Sequence, residues 1–251
     1  MVPYILAVRN RASVASMQNR LLSALPPAES ARLEPHLELV PLTRGQALAD
    51  MPDYLYFPVD SVVALLYALH DGASAEISLV GNEGVAGVAV ALGNRSTLDR
   101  AVVQVAGHAY RVRADALHAE FSHDDDLQQQ LFRFSRALLA QMAQTAACNW
   151  NHPPHQRLGR WLLLTLDRVP SNRLLIDRAS MATILGLPRV DVDEAVAKLQ
   201  RLGAITASPA HIDVHNRAQL ERLSCECYAL VRNESDRLLR PVSHHKLRSI
   251  I

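Results

Sequence analysis

The spacing of hydrophobic positions changes period twice along the chain. Residues 14–24, SVASMQNRLLS, place Met17, Leu21 and Leu22 on one helical side, and Pro26-Pro27 stops that helix. Residues 28–35, AESARLEP, predict another short helical stretch closed by a proline. From about residue 36 to 113 the pattern becomes short apolar runs between turn signals: LELVPL, YLYFPV, SVVALLYAL, AEISLV, RAVVQVAG and HAYRVR. The Asp71-Gly72 pair between two such runs is a hairpin signal. Many short strands in some 80 residues predict a compact β-barrel or sandwich.

Helical periodicity returns at residues 114–148. ADALHAEF gives a short helix, and Ser122 can cap a long one whose positive end meets Asp124, Asp125 and Asp126. Along it Leu127, Leu131, Phe134, Leu138, Gln141 and Thr145 repeat at alternating intervals of four and three. This heptad-like seam is read as the surface that pairs two copies of the chain, the alternative on spacing alone being a helix buried within one copy. Leu139, Met142 and Ala146 form a second apolar stripe beside it. A helix with two such stripes must bury both, one on its own barrel and the other on a partner. NWNHPPHQ at 149–156 marks a boundary, after which RLGRWLLLTLDRV is helical and RLLI strand-like.

Residues 177–205 predict two helices joined by a tight turn. Asp177 or Ser180 opens the first, with Met181, Ile184 and Leu185 inward. Gly186 permits a left-handed turn, Pro188 suits the start of the second helix, and Gly203 ends it. The second helix turns Val192, Ala195, Val196 and Leu199 inward. AITAS and HIDVHN follow, a β-hairpin turning at Ser208–Ala210, where a winged helix carries its wing. A helix fits the DNA major groove and presents its first turns to base edges. The outward residues there are Arg189, Val190, Asp193 and Glu194, with Arg189 the candidate for guanine readout. Ser180, Arg178 and Arg201 belong to the same candidate surface, and phosphate contacts are expected from Arg157, Arg160, Arg178 and Arg201.

Charge sharpens this picture. The 251 residues carry 26 basic and 25 acidic groups, yet residues 1–148 sum to −4 and residues 149–251 to +5. A basic second half suits a polyanionic partner. Nearly half the residues are hydrophobic, which excludes a disordered chain, and no apolar run reaches a membrane span. The N-terminus shows no convincing signal-peptide cleavage site, so a cytoplasmic location is expected. Three cysteines, Cys148, Cys225 and Cys227, are too few for a disulfide scaffold and include no Cys-x-x-Cys pair.

The chain resembles the Crp/Fnr family of bacterial transcription regulators over roughly residues 17–240. The matching stretches are NRLLSALP at 19–26, LELVPLTRGQAL at 37–48, YFPVDSVVALL at 56–66, GNEGVAGV at 81–88, RAVVQVAGHAYRV at 100–112 and RLGRWLL at 157–163. LERLSCECYALVRNESDRLL at 220–239 is similar to a subgroup of that family. The resemblance implies an α+β chain: an N-terminal helical segment (1–35), a cyclic-nucleotide-binding-like, jelly-roll-like β-barrel sensor (36–121), a dimerisation helix (122–150), a winged helix-turn-helix (151–220) and a C-terminal helix and tail (221–251). It also implies double-stranded DNA, a second copy and RNA polymerase as partners, with no membrane and no enzymatic activity. No nucleophile elbow, P-loop or metalloprotease motif is present, and no paired carboxylates suggest hydrolysis.

The effector is where the chain departs from the family. Members that bind cyclic AMP hold its phosphate with glycine amides and an arginine, and its ribose with a glutamate. Here Gly84-Val85-Ala86-Gly87 stands at that place, with Val85 where the glutamate belongs. Glu83 precedes the glycine, so its side chain should point elsewhere. Arg100-Ala101 supplies the arginine without the neighbouring hydroxyl residue, and Arg95 is a further cation nearby. Valine accepts no hydrogen bond, so cyclic AMP is disfavoured. No cofactor is expected, and another small-molecule effector at Gly84, Val85, Gly87, Arg95, Arg100 and Ala101 stays open. No cysteine precedes residue 148, which disfavours an oxygen-sensing iron–sulfur cluster, while His70 and His108 leave haem open. In the recognition helix Val190 and Glu194 replace family residues, and Asp191, Asp193 and Glu194 put three carboxylates near a phosphate-lined groove. A ligand- or protein-binding module that has lost sequence-specific DNA binding is therefore the alternative. His211, Asp213 and His215 share one strand face and are read as the polar side of the wing. His152 and His155 flank a hinge, and Cys225 and Cys227, two apart on one expected helix, are read as packing residues. No metal site is expected.

Overall fold

The computed structural model describes residues 18–51, 53–68, 74–93, 99–120 and 126–238. Two short helices come first, α1 (Arg20–Ser23) and α2 (Pro27–Leu33). Asn19 caps α1: its side-chain oxygen accepts from the Leu21 and Leu22 amides, while its amide nitrogen donates to the Pro58 and Gly84 carbonyls. One buried residue thus starts the helix and ties it to two loops of the following domain.

That domain is built from strands β1 (Glu38–Leu42), β2 (Tyr54–Pro58), β3 (Val62–Ala68) and β4 (Ser74–Val80), the short helix α3 (Val88–Ala91), strands β5 (Asp99–Val105) and β6 (Gly107–Arg113), and helix α4 (Ala114–Glu120). The strands form two antiparallel three-stranded sheets, ordered β1-β6-β2 and β4-β3-β5. Single bridges at Ala47–Val102 and Tyr56–Ala86 tie other strand edges together, so the expected barrel is two facing sheets. Between them lies an apolar core that includes Leu42, Leu55, Phe57, Val63, Leu65, Val80 and Val112. The Asp71-Gly72 turn lies outside the described residues, but β3 and β4 pair antiparallel up to Ala68–Ser74, as a hairpin there requires.

Helix α5 (Asp126–Asn151) has 26 residues and so runs about 39 Å. Ser122 lies outside the described residues. The α5 N-terminus is instead served by Glu29 of α2, whose carboxylate accepts from the Asp126 and Leu127 amides at 3.2 and 3.0 Å. Such a charge suits the positive end of a helix.

The seam assigned to dimerisation is buried inside the chain. Leu127, Leu131, Phe134, Leu138, Gln141 and Thr145 are all less than 9% exposed. The first four belong to the sensor core, and Gln141 donates to Ser78 Oγ on β4. The reason is steric as well as apolar: Gly84 has no side chain, and a Cβ there would lie 2.0 Å from the Phe134 ring. The opposite side of α5 carries the free stripe. Phe132 is 51% exposed, Leu139 65% and Trp150 90%, and Ala143 and Ala146 between them are exposed too.

The chain continues through α6 (Pro154–Leu166), β7 (Arg173–Leu175), α7 (Arg178–Leu185), α8 (Arg189–Arg201), β8 (Ile205–Ala207), β9 (His211–Val214), α9 (Arg217–Leu223) and α10 (Cys227–Leu238). β7, β9 and β8 form a small antiparallel sheet against α6, α7 and α8. The second core joins the two domains, because Val62, Ala64 and Leu79 of the sensor lie in it with Trp161, Leu162 and Met181. No helix among the described residues is long and apolar enough to cross a membrane.

Glu76 sits in this inter-domain contact, with Trp161 Nε1 donating to its Oε2 at 3.4 Å. Burial pushes its carboxyl up to about 8, from an ordinary 4.5. Between these values the native state keeps a proton that the unfolded chain has released, so stability falls as pH rises across that window. Replacing Glu76 by Gln removes this loss. Thermal unfolding of E76Q at pH 9 should occur about 3 °C or more above the parent chain, with the two curves converging below pH 5. Parallel melting curves at all pH values would show that Glu76 carries no such load.

Candidate nucleic-acid interface and effector region

α7 and α8 are positioned by three local choices of sequence. Asp177 caps α7, accepting from the Ser180 amide at 2.8 Å and the Ser180 hydroxyl at 3.0 Å. These bonds hold the Asp177 carboxyl below the usual carboxylate range. Gly186 follows α7 at φ 57°, a left-handed conformation that a side chain opposes. Pro188 then fixes φ at −56° just before α8. Val192, Ala195, Val196 and Leu199 are buried under α8, as the spacing predicts.

The outer face of α8 is free. Arg189, Val190, Asp193, Glu194 and Arg201 are all exposed, with Val190 59% accessible. Ser180 is only half-buried, although its hydroxyl is committed to Asp177. Arg178 is mostly covered and its Nε lies 3.2 Å from Asp193 Oδ1. That contact offsets one of the three carboxylates at the helix start. Arg157 and Arg160, expected to meet phosphates, are turned inward. Arg157 donates to the Leu185 carbonyl at the end of α7, and Arg160 donates to Thr145 Oγ1 at 3.0 Å. An arginine stem packs well against an apolar helix, and here its head finds partners inside the protein.

The wing is present. Ser208-Pro209-Ala210 turns β8 into β9, closed by the Ser208 amide on the His211 carbonyl at 2.9 Å. On the face read as the polar side of the wing, Asp213 is gripped by Nε and Nη2 of Arg173 at 2.6 and 3.1 Å and lies 3.2 Å from His211 Nε2, while His215 turns to Thr206.

Among the described residues the expected effector region is largely apolar. Val85 and Ala101 are buried in the sensor core and Gly84 is covered by Phe134. Gly87 adopts φ 93° and starts α3. Arg100 is exposed on β5, and Arg95 and His70 lie outside the described residues. His108 is exposed beside Asp60, with its Nδ1 3.4 Å from Oδ1.

Glu83 points away from this region, into a junction that spacing could not show. Arg168, just past α6, donates through Nε to Glu83 Oε1 at 2.8 Å, through Nη1 to the Leu164 carbonyl at 2.5 Å and through Nη2 to Gln141 Oε1 at 3.1 Å. Gln141 in turn bonds Ser78 Oγ and the Leu79 carbonyl. Sensor loop, α5 and α6 therefore meet on one buried guanidinium. Gly81 is required there, since a Cβ would lie 2.6 Å from the Arg168 stem.

The cysteines also differ from expectation. Cys225 falls in the turn between α9 and α10 and Cys227 begins α10, so the two do not share one helix that would point them to different sides. They converge with Cys148 and His152 at the end of α5.

Residues 156–223 match the family model of the Crp-like helix-turn-helix domain. No curated protein matches the sequence. Solved structures do match by fold. FixK2 from Bradyrhizobium japonicum aligns with TM-score 0.62 at 18% identity, covering 75% of this chain and 98% of that one. The c-di-GMP-responsive global regulator CLP of Xanthomonas campestris aligns with TM-score 0.60 at 14% identity, over 76% of this chain and 100% of that one. A CRP-family transcriptional regulator from Thermus thermophilus gives TM-score 0.61 at 17% identity, over 74% of this chain and 96% of that one. At these identities the likeness is one of fold.

The junction at Arg168 makes a direct test of how the sensor is held to α5 and α6. Removing one partner of a buried ion pair leaves the other charge stranded, at a cost of about 3 kcal/mol or more. Arg168→Ala should lower the denaturation free energy by that amount. Adding Glu83→Gln to it should recover part of the loss. Strictly additive losses would mean that the two residues do not act as a pair.

Proposed function

We infer that this chain, of Crp/Fnr type in its fold and in its helix-turn-helix domain, is a transcription regulator that binds double-stranded DNA as a homodimer. One observation carries the reading. α8 buries every inward residue and leaves its Arg189-bearing face open, next to a wing and on a basic half of the chain. A helix so presented can enter a major groove with its first turn on base edges.

The dimer surface is the exposed stripe of α5 rather than the seam buried on the sensor. Phe132, Leu139, Ala143, Ala146 and Trp150 lie at intervals that keep them in line, and two such helices side by side cover one another. The two-fold axis would then set the recognition helices about 34 Å apart, one turn of duplex. Arg189 is the candidate for base readout, and Arg201 for a phosphate. Val85, Ala101 and the Phe134-covered Gly84 support control by something other than cyclic AMP, or by no small molecule. The protein is proposed to work in the cytoplasm, through RNA polymerase, with no catalytic step of its own.

Two measurements test this. In a selection from random duplexes, Arg189→Ala should lose about 1–3 kcal/mol at one base position and relax the motif there, while Arg201→Ala should weaken all sequences alike and flatten the salt dependence. A selection that enriches no motif would favour the second reading, in which the apolar Val190 and the carboxylates of α8 meet another protein. In sedimentation, Leu139→Glu should convert the dimer to monomers without unfolding it. A dimer that persists would place the contact elsewhere.

A further inference from the structure

Four side chains from distant parts of the sequence meet at the hinge between α5 and α6. Cys148 and His152 are four apart at the end of α5, and the His152 amide still bonds the Cys148 carbonyl at 3.0 Å, so both face one way. Cys225 and Cys227 come from the α9–α10 turn. Cys148 Sγ lies 3.5 Å from Cys225 Sγ, and Cys227 Sγ lies 3.5 Å from His152 Nδ1. All four ligand atoms fall within 4.8 Å of one another. The three cysteines are free thiols, and all three are buried.

We propose that Cys148, His152, Cys225 and Cys227 form a tetrahedral site for one zinc-class divalent ion, which clamps the C-terminal helices to the end of the dimerisation helix. A tetrahedral zinc ion with bonds of about 2.3 Å to sulfur and 2.0 Å to nitrogen sets its ligands roughly 3.5–3.8 Å apart; two pairs here stand at 3.5 Å and all four atoms lie within 4.8 Å, a small inward adjustment from that geometry. The space is that of a single ion; an iron–sulfur cluster interposes several atoms between its cysteines. Three soft sulfurs and one imidazole select zinc over magnesium or calcium.

The surroundings fit the same chemistry. His152 Nδ1 faces the sulfurs while its Nε2 lies 3.3 Å from Glu226 Oε1, the outward carboxylate contact that commonly orients a metal-bound histidine. Gln144 Nε2 donates to Cys227 Sγ at 3.0 Å, as a donor to a thiolate would. Three thiolates and one divalent ion leave a single negative charge, and the buried Arg160 guanidinium is held on Thr145, three residues before Cys148 on α5.

The placement says what the ion would do. α10 packs along α5, while α9 packs on α6, which carries the helix-turn-helix. Joining the α9–α10 turn to the last turn of α5 fixes the angle at which α8 leaves the dimer axis. Whether metal then governs DNA affinity rests on the function proposed above; the site itself does not.

The test uses the full chain purified under reductant without added metal, then titrated with cobalt(II) and with zinc(II) against a chromophoric chelator. One equivalent of cobalt should give thiolate charge-transfer absorption and the intense visible bands of tetrahedral geometry, bleached by zinc. Cys227→Ser and His152→Gln should keep the parent circular dichroism and lose these bands, and Gln144→Ala should bind about 10–100-fold more weakly. Octahedral cobalt spectra, equal binding by the Cys227 and His152 variants, iron–sulfur absorption, or a Cys148–Cys225 disulfide in the freshly reduced protein would each overturn the site. DNA affinity is then compared with and without one equivalent of zinc. A change of tenfold or more is expected, and unchanged affinity would overturn the clamp while leaving the site. No DNA binding in either form would overturn the function proposed above and leave the metal site standing.

Discussion

A single buried guanidinium holds the architecture in one arrangement. Arg168 bonds the sensor loop through Glu83, α5 through Gln141 and its own helix through Leu164. A buried charge is costly unless its donors are met, so these bonds favour the one arrangement in which the three elements meet. The apolar packing of Phe134 on Gly84 adds to this, because a close approach of α5 at one point fixes its register at the others. The result is a sensor whose loop cannot shift without shifting the helix that leads to the DNA-binding half.

The legible parts of this protein were those where one residue type answers one geometric need. Gly186 and Pro188 mark the turn between α7 and α8 because a left-handed residue and a fixed φ are both needed there. The dimer seam was harder. Heptad spacing shows that a stripe of α5 is buried but does not say by what, and the bulkier stripe went to the protein's own sheets. The arginines failed for a related reason: a guanidinium on a long stem reads as a surface charge, and only the fold shows Arg157 reaching the end of α7.

The cysteine and histidine group was beyond linear reading for a different cause. Its halves are some 75 residues apart, and Cys225 and Cys227 converge only because α9 ends at Leu223 and the chain turns before α10. A signal did exist in Cys148 and His152, whose spacing of four puts them on one helical face. Judged alone, each pair lacks the number of ligands a tight site needs.

Two parts of the same helix are held by different neighbours. Near the sensor, α5 is gripped by an apolar seam and by Arg168. At the far end it is met by four ligating groups and by the C-terminal helices. There α10 packs on both α5 and α6, the helix that leads into α7 and α8. The shared core of Val62, Ala64 and Leu79 with Trp161, Leu162 and Met181 binds the sensor to the helix-turn-helix half, so a change at either part of α5 bears on that contact as well.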